Sequence, residues 1–169
     1  KIIEVVNYTS SKPRVVQHNT TLTSKQDVEG LHYDEKNNRL LLAIKGYDAN
    51  TRDYKGIYAF DLKNKKFNQT PVYKITLDDA VLEEVKKKQK IEPSDLSIHP
   101  STGDLYILEG AEPKLLIMGQ DGKMKKLVWL KHKEFIQPEG IDFSPEGELF
   151  ISNEGQKKEG NILKVNLAM

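Results

Sequence analysis

The sequence predicts an all-β protein, and more specifically a β-propeller, because one phrase occurs three times along the chain. Each copy joins a short hydrophobic strand, a polar turn and a second hydrophobic strand, and the copies begin at Val28, Pro93 and Pro138. Repeats of this length that are built from strands and turns are typical of propellers and solenoids. A hydrophobic share of 37% and a charged share of 30% suit such a protein, since its outer strands are solvated.

The segment 91–131 shows the predicted blade most clearly. Its strands are predicted at 96–98, 105–108, 114–118 and 124–130. Turn signals separate them, among them Pro-Ser-Thr-Gly at 100–103 and the preferred hairpin dipeptide Asp-Gly at 121–122. Four consecutive antiparallel strands of this kind form one propeller blade.

The other segments repeat this plan or interrupt it. We predict the outer half of a blade at 1–22, a blade at 27–77, an inserted helix at 78–90, the blade at 91–131 and a blade without its outer strand at 136–169. The helix is predicted because apolar residues recur at helical spacing between 80 and 85. Asp78 or Asp79 can cap its start and lysines follow at its end, which is the charge order that the helix dipole favours. We expect this helix to pack on the rim.

The blade count predicts an incomplete ring. The segments add up to between three and four blades, whereas propellers close with four to eight. If the two terminal pieces shared one blade, only three would remain. The chain also begins at Lys1 without a Met, which suggests that upstream residues were removed or never included. We therefore expect the C-terminal part of a longer propeller, completed by upstream blades, a second chain or self-association, because an open ring exposes strand edges.

Composition and motifs exclude several classes of function. A net charge of +1 gives no field that would attract nucleic acid, and the absence of Cys excludes disulfides and thiolate metal sites. No apolar run approaches the roughly 20 residues that span a bilayer. Neither a Gly-rich phosphate loop nor a Ser-His-acid arrangement can be assigned, and the four histidines show no metal spacing.

Acidic residues begin the innermost strands, which line the channel of a propeller. Glu-Gly pairs start at Glu29 and Glu139, while the second blade carries Ser94 and Asp95 instead. Glycine allows close backbone approach there, so that carboxylates from several blades converge. Oxygen ligands of this kind suit calcium or magnesium. Glu29, Asp95 and Glu139 are thus candidate metal ligands, unless these acids accept hydrogen bonds from backbone donors at the channel mouth.

The ends of the second strands supply another polar set. Lys45, Glu109, Asn153 and Glu154 occupy similar places in the three copies and are expected on one face of the disc, beside the channel. Their mixed charge suits a ligand or an ion. The alternative is that they only solvate the strand ends before glycine turns.

Several segments resemble the SdiA-regulated family of bacterial β-propellers. They are 27–31, 38–43, 56–62, 98–108, 137–141 and 149–155. The resemblance runs over essentially the whole chain and looks like the Bacteroidetes branch, whose members are secreted or lipid-anchored. It implies a propeller of five or six blades with the upstream blades absent, a place at the bacterial cell envelope and a lipid anchor upstream. The biochemical function of the family is largely unknown.

The segment 138–141 also looks like NHL repeats and like the gluconolactonase group, where a channel Glu and Asn residues hold a divalent metal. By that similarity Glu29, Glu139 and Asn153 are the metal candidates. The leading hypothesis is a ligand- or protein-binding propeller with calcium or magnesium in its channel. The alternative is a metal-dependent hydrolase of lactones or esters, and a third hypothesis is a protein-interaction platform on the disc face.

Overall fold

The structure is a computed structural model that describes residues 1–48, 51–85, 90–155 and 159–167. Its regular elements are almost all β-strands. They are β1 (Ile2–Val6), β2 (Arg14–His18), β3 (Val28–Asp34), β4 (Arg39–Ile44), β5 (Tyr54–Asp61), β6 (Lys66–Phe67), β7 (Tyr73–Thr76), β8 (Pro93–Ile98), β9 (Leu105–Glu109), β10 (Lys114–Met118), β11 (Met124–Trp129), β12 (Pro138–Phe143), β13 (Leu149–Asn153) and β14 (Asn161–Val165). Two single-turn 3-10 helices, Glu35–Asn37 and Ala80–Leu82, accompany them.

The strands form antiparallel sheets in chain order. β1 pairs with β2, β8 to β11 form a four-stranded meander, and β12 to β14 form a three-stranded one. In the first large sheet β3, β4 and β5 follow one another, and β6 and β7 both pair with β5. The outer edge of this sheet therefore consists of two short segments, β7 beside the start of β5 and β6 beside its end. Successive antiparallel meanders are the blades of a propeller, as the sequence predicted.

The core lies between the sheets. In a strand such as β4, successive side chains point to opposite faces of the sheet, so one strand contributes to the apolar layers on both sides. Leu41 packs against the second blade, whereas Leu42 belongs to a separate cluster with Tyr58 and the hairpin residue Ile2. A further cluster, which includes Ile141, fills the space between the second and third blades. Burial on both faces explains why the second strands of the first two blades, β4 and β9, are almost continuously hydrophobic.

The first strand of each blade carries one extra residue near its start. β3, β8 and β12 pack side by side, and the register of each shifts by one against its partner strand. The extra residues are Glu29, Ser94 and Glu139, which are thereby equivalent positions. A bulge of this kind leaves a residue outside the ladder and redirects its side chain. Asp95 follows the bulge, at the place that glycine takes in the other two blades.

The helix predicted over 78–90 is wrong for most of its described length. Only Ala80–Leu82 turn, in a 3-10 helix capped by Asp79, whose side chain accepts a hydrogen bond from the Val81 N–H at 2.9 Å. Residues 83–85 form a turn and bend, and 86–89 lie outside the described residues. Helices this short depend on a buried apolar face. In the described part of this segment Leu82 is the one buried side chain. The buried surface therefore stabilises only a single helical turn, which contacts β11.

Gly30 tests the close packing of the inner strands. A Cβ atom there would lie 2.6 Å from Leu96 Cδ2 and 3.2 Å from the Asp95 Cα. Relieving the second contact requires a shift of the β8 backbone, which costs free energy. Gly30→Ala is expected to lower the free energy of unfolding by about 1–3 kcal/mol, measured by urea denaturation. Gly140→Ala is the control, because its Cβ meets the rotatable Ser152 hydroxyl at 2.6 Å. Equal losses in the two variants would contradict this interpretation.

Candidate site at the channel mouth

The three bulged strand starts meet at one end of the channel, which we call the channel mouth. It contains a cleft of about 230 Å³. The cleft is lined by Glu29, Lys45, Glu92, Ser94, Gly110, Ala111, His132, Gln137 and Glu139. The structure therefore brings together three of the residues that the sequence singled out, namely Glu29, Lys45 and Glu139.

An ion pair joins two of these residues, which are neighbours on the first blade. Lys45 Nζ lies 2.9 Å from Glu29 Oε1, and both side chains are about one-third exposed. The hydrogen bond from Lys45 to Glu29 raises the pKa of the ammonium group, and the charges of Asp27 and Glu139 add to that effect. Because the pair is partly exposed, its net contribution to stability is small.

Glu139 lines the same cleft, where the charge of Lys45 acts on its carboxyl group. Burial raises the pKa of its carboxyl group, the charges of Glu29 and Glu154 raise it further, and Lys45 lowers it. The side chain of Gln137 donates a hydrogen bond to Glu139. The mouth thus carries more negative charge than Lys45 neutralises, which favours the approach of a cation.

Asp95 does not join Glu29 and Glu139. Its Oδ2 accepts the Ile141 N–H of β12 at 3.0 Å, and the N–H groups of Leu31 in β3 and Leu96 in β8 also bond to its carboxylate. It lines a separate cavity of about 640 Å³ on the channel wall. Burial raises the pKa of Asp95, and these three donors oppose that shift. The carboxylate thus accepts hydrogen bonds from backbone donors of three blades.

Two of the predicted ligand-binding residues are buried within their sheets. Glu109 is 3% exposed and lies 2.7 Å from the fully buried Lys114 Nζ. Burial raises the pKa of Glu109, and Lys114 opposes this shift. Asn153 is buried too, and its Nδ2 donates to Asn161 Oδ1 at 2.8 Å. Glu154 is exposed and acts on the channel mouth through its charge.

The cleft also contains residues that the sequence did not single out. Glu92 and Gln137 immediately precede β8 and β12, as Asp27 precedes β3, so the repeat itself could have indicated them. Asp27 and Gln137 share a left-handed backbone, with φ of 47° and 54°. His132 comes from the loop between β11 and β12, and no periodic signal marks it.

Among the described residues, no three His, Asp or Glu side chains are grouped closely enough to hold one metal ion. Carboxylate oxygens at the mouth come from Glu29, Glu92 and Glu139, which all line the cleft. In the same part of the chain, no helix has the length and apolarity to cross a bilayer.

Comparisons with known proteins support the fold. The chain matches no family model and no curated protein. A streptogramin B lyase structure is 11% identical, with a TM-score of 0.52, and the match covers 89% of this chain and 44% of that chain. Selenomethionine-substituted virginiamycin B lyase from Staphylococcus aureus gives a TM-score of 0.49 at 13% identity, covering 85% and 43%.

The streptogramin B lyase match confirms the β-propeller fold. At 11% identity the likeness concerns the fold alone. The match covers less than half of the streptogramin B lyase chain, which is consistent with a partial propeller. What the lyases act on is a property of those proteins.

Asp95 gives a prediction about pH. Because its pKa is raised above the ordinary 3.8 in the folded protein, the folded state holds more protons than the unfolded state just above that pH. The wild type should therefore lose stability relative to Asp95→Asn as pH rises from about 3.8 through the native pKa.

Urea denaturation of both proteins at several pH values between 4 and 7 measures this difference. Asp95→Asn is expected to be destabilised throughout by about 1–3 kcal/mol, because its amide N–H groups face backbone donors. The deficit should be larger at pH 4 than at pH 7. A deficit that grows with pH would show that the backbone donors, rather than burial, dominate.

Proposed function

We propose that this chain is part of a binding propeller whose channel-mouth cleft accepts a cationic ligand, calcium or magnesium in the first instance. The observation that carries the proposal is that Glu29 and Glu139 line one cleft with Lys45, whose ammonium group is bonded to Glu29. A divalent cation would supply the charge that the mouth lacks, and carboxylate oxygens are the ligands it prefers. Backbone carbonyls and water would complete its coordination.

The SdiA-regulated family and a location at the bacterial cell envelope, with a lipid anchor upstream, are further parts of the proposal. The segments that resemble this family support them, since its members are secreted or lipid-anchored. We also propose that further blades complete the ring, from upstream residues or a second chain. Apolar residues support this, because Ile3, Val5 and Val15 of the N-terminal hairpin and Ile162 of β14 are exposed.

A metal-dependent hydrolase of lactones or esters is the second candidate. One observation favours it, because His132 lines the same cleft as Glu29 and Glu139. An imidazole near neutral pH can act as a general base beside a bound metal ion. A protein-interaction platform on the disc face would need neither the metal nor the imidazole.

Calorimetric titration of the chain with calcium, and separately with magnesium, tests the metal proposal. Glu29→Gln and Glu139→Gln are each expected to weaken binding about tenfold or more, because each removes a charged oxygen ligand. Lys45→Met should strengthen binding about two- to fivefold, since a cation then no longer competes with an exposed ion pair. Glu146→Gln, in the exposed turn at the other end of β12, should change nothing.

The same variants decide between the candidates. A wild type that binds neither cation would remove the metal from the proposal, as would a loss in Glu146→Gln equal to that in Glu29→Gln. Hydrolysis of a chromogenic ester or a simple lactone, measured with calcium or magnesium present, tests the enzyme. If His132→Ala leaves any such hydrolysis unchanged, the imidazole is not its base.

A further inference from the structure

Lys55 is a buried lysine that the proposed site does not use directly. It lies in β5, is 2% exposed, and has no carboxylate within ion-pair distance among the described residues. Burying an ammonium group without a counterion is costly. Burial lowers the pKa of Lys55, and the more distant charges of Glu92 and Glu109 oppose this shift. The free-energy cost of burying this charge indicates a specific role for Lys55.

The ammonium group of Lys55 is engaged by the backbone just after β4. Its Nζ donates to the Lys45 carbonyl oxygen at 2.6 Å and to the Gly46 carbonyl oxygen at 2.5 Å. The Tyr47 ring lies against the same group, with its centroid 4.4 Å from Nζ. Lys55 therefore bonds to the two residues that lead the chain away from the channel mouth.

The opposite side of this dipeptide is held as well. The N–H groups of Lys45 and Gly46 donate to the Asp27 and Gln26 carbonyl oxygens, at 2.8 and 2.9 Å. A Cβ on Gly46 would lie only 2.1 Å from the Lys25 carbonyl oxygen, so the two segments touch. All four backbone polar groups of the dipeptide are thus bonded, and only the Lys45 side chain extends into the mouth.

We propose that Lys55 is a positioning residue that holds Lys45 against Glu29 at the channel mouth. Two backbone N–H bonds fix one side of the dipeptide, and the Lys55 ammonium group fixes the other. The second blade also buries a lysine at the start of its third strand, Lys114, one register position away from that of Lys55. It pairs instead with Glu109 and bonds to the Glu112 carbonyl oxygen. Any effect on ligand affinity rests on the proposed function, whereas the positioning of Lys45 does not.

The rate at which acetic anhydride acetylates the Lys45 amine tests the proposal without any ligand. An amine held in an ion pair reacts slowly, and mass spectrometry reads the rate at this one residue. Lys55→Met should raise the acetylation rate of Lys45 about two- to fivefold, because the free energy of an exposed ion pair corresponds to a factor of about this size. Glu29→Gln, which removes the ion pair itself, should do the same.

The double variant and a matched control make the test decisive. If Lys55 acts by placing Lys45 against Glu29, Lys55→Met together with Glu29→Gln should react no faster than Glu29→Gln alone. Lys114→Met also removes a buried lysine but should leave Lys45 unchanged. An unchanged rate in Lys55→Met, additive rates in the double variant, or an equal rise in Lys114→Met would overturn the proposal.

Folding is checked for every variant by circular dichroism. Where Lys55→Met does not fold, Lys55→Gln takes its place, because its shorter side chain cannot reach both carbonyl oxygens. Failure here is distinguishable from failure of the proposed function. A chain that binds no calcium can still show the acetylation pattern, and a chain that binds calcium can lack it.

Discussion

The carboxylate of Asp95 fixes the arrangement of the three inner strands. The channel-side edge of an innermost strand has no further strand to pair with, so its N–H groups need other acceptors. Asp95 accepts from the strands on both sides and from its own. His32 also links two blades, because its Nε2 accepts a hydrogen bond from the Ile98 N–H of the neighbouring blade at 3.4 Å. The blades are therefore joined at the channel by polar groups as well as by the apolar layers between them.

This constraint explains why acids of similar sequence position have different roles. Asp95 lies at a place where the neighbouring strands offer only glycines, so its side chain reaches their backbones. Glu29 and Glu139 precede that place by one residue and are bulged out of the ladder towards the mouth. One position along the strand separates a group that holds the blades together from groups that face the cleft.

The sequence predicted the fold well because propeller blades are local structures. Their strands pair with sequence neighbours, so turn residues and alternation carry most of the information. The prediction of an inserted helix was wrong because charge order and spacing do not show how much apolar surface is buried. In this segment the buried apolar surface is chiefly that of Leu82. The site was predicted only in part. Glu29, Lys45 and Glu139 come together, but Glu109 is buried against Lys114, its partner in the hairpin of β9 and β10, and the sequence pattern does not reveal that burial.

The bulge at the start of each inner strand has a consequence for how this architecture can change. A bulged residue is not paired in the ladder, so its side chain can be exchanged without changing the register between the strands of the blade. The molecule already holds one such exchange, because Ser94 occupies the place of Glu29 and Glu139, and its hydroxyl bonds to the Leu108 and Pro138 carbonyl oxygens. Selection can therefore vary the chemistry of the mouth one blade at a time while the scaffold remains unchanged.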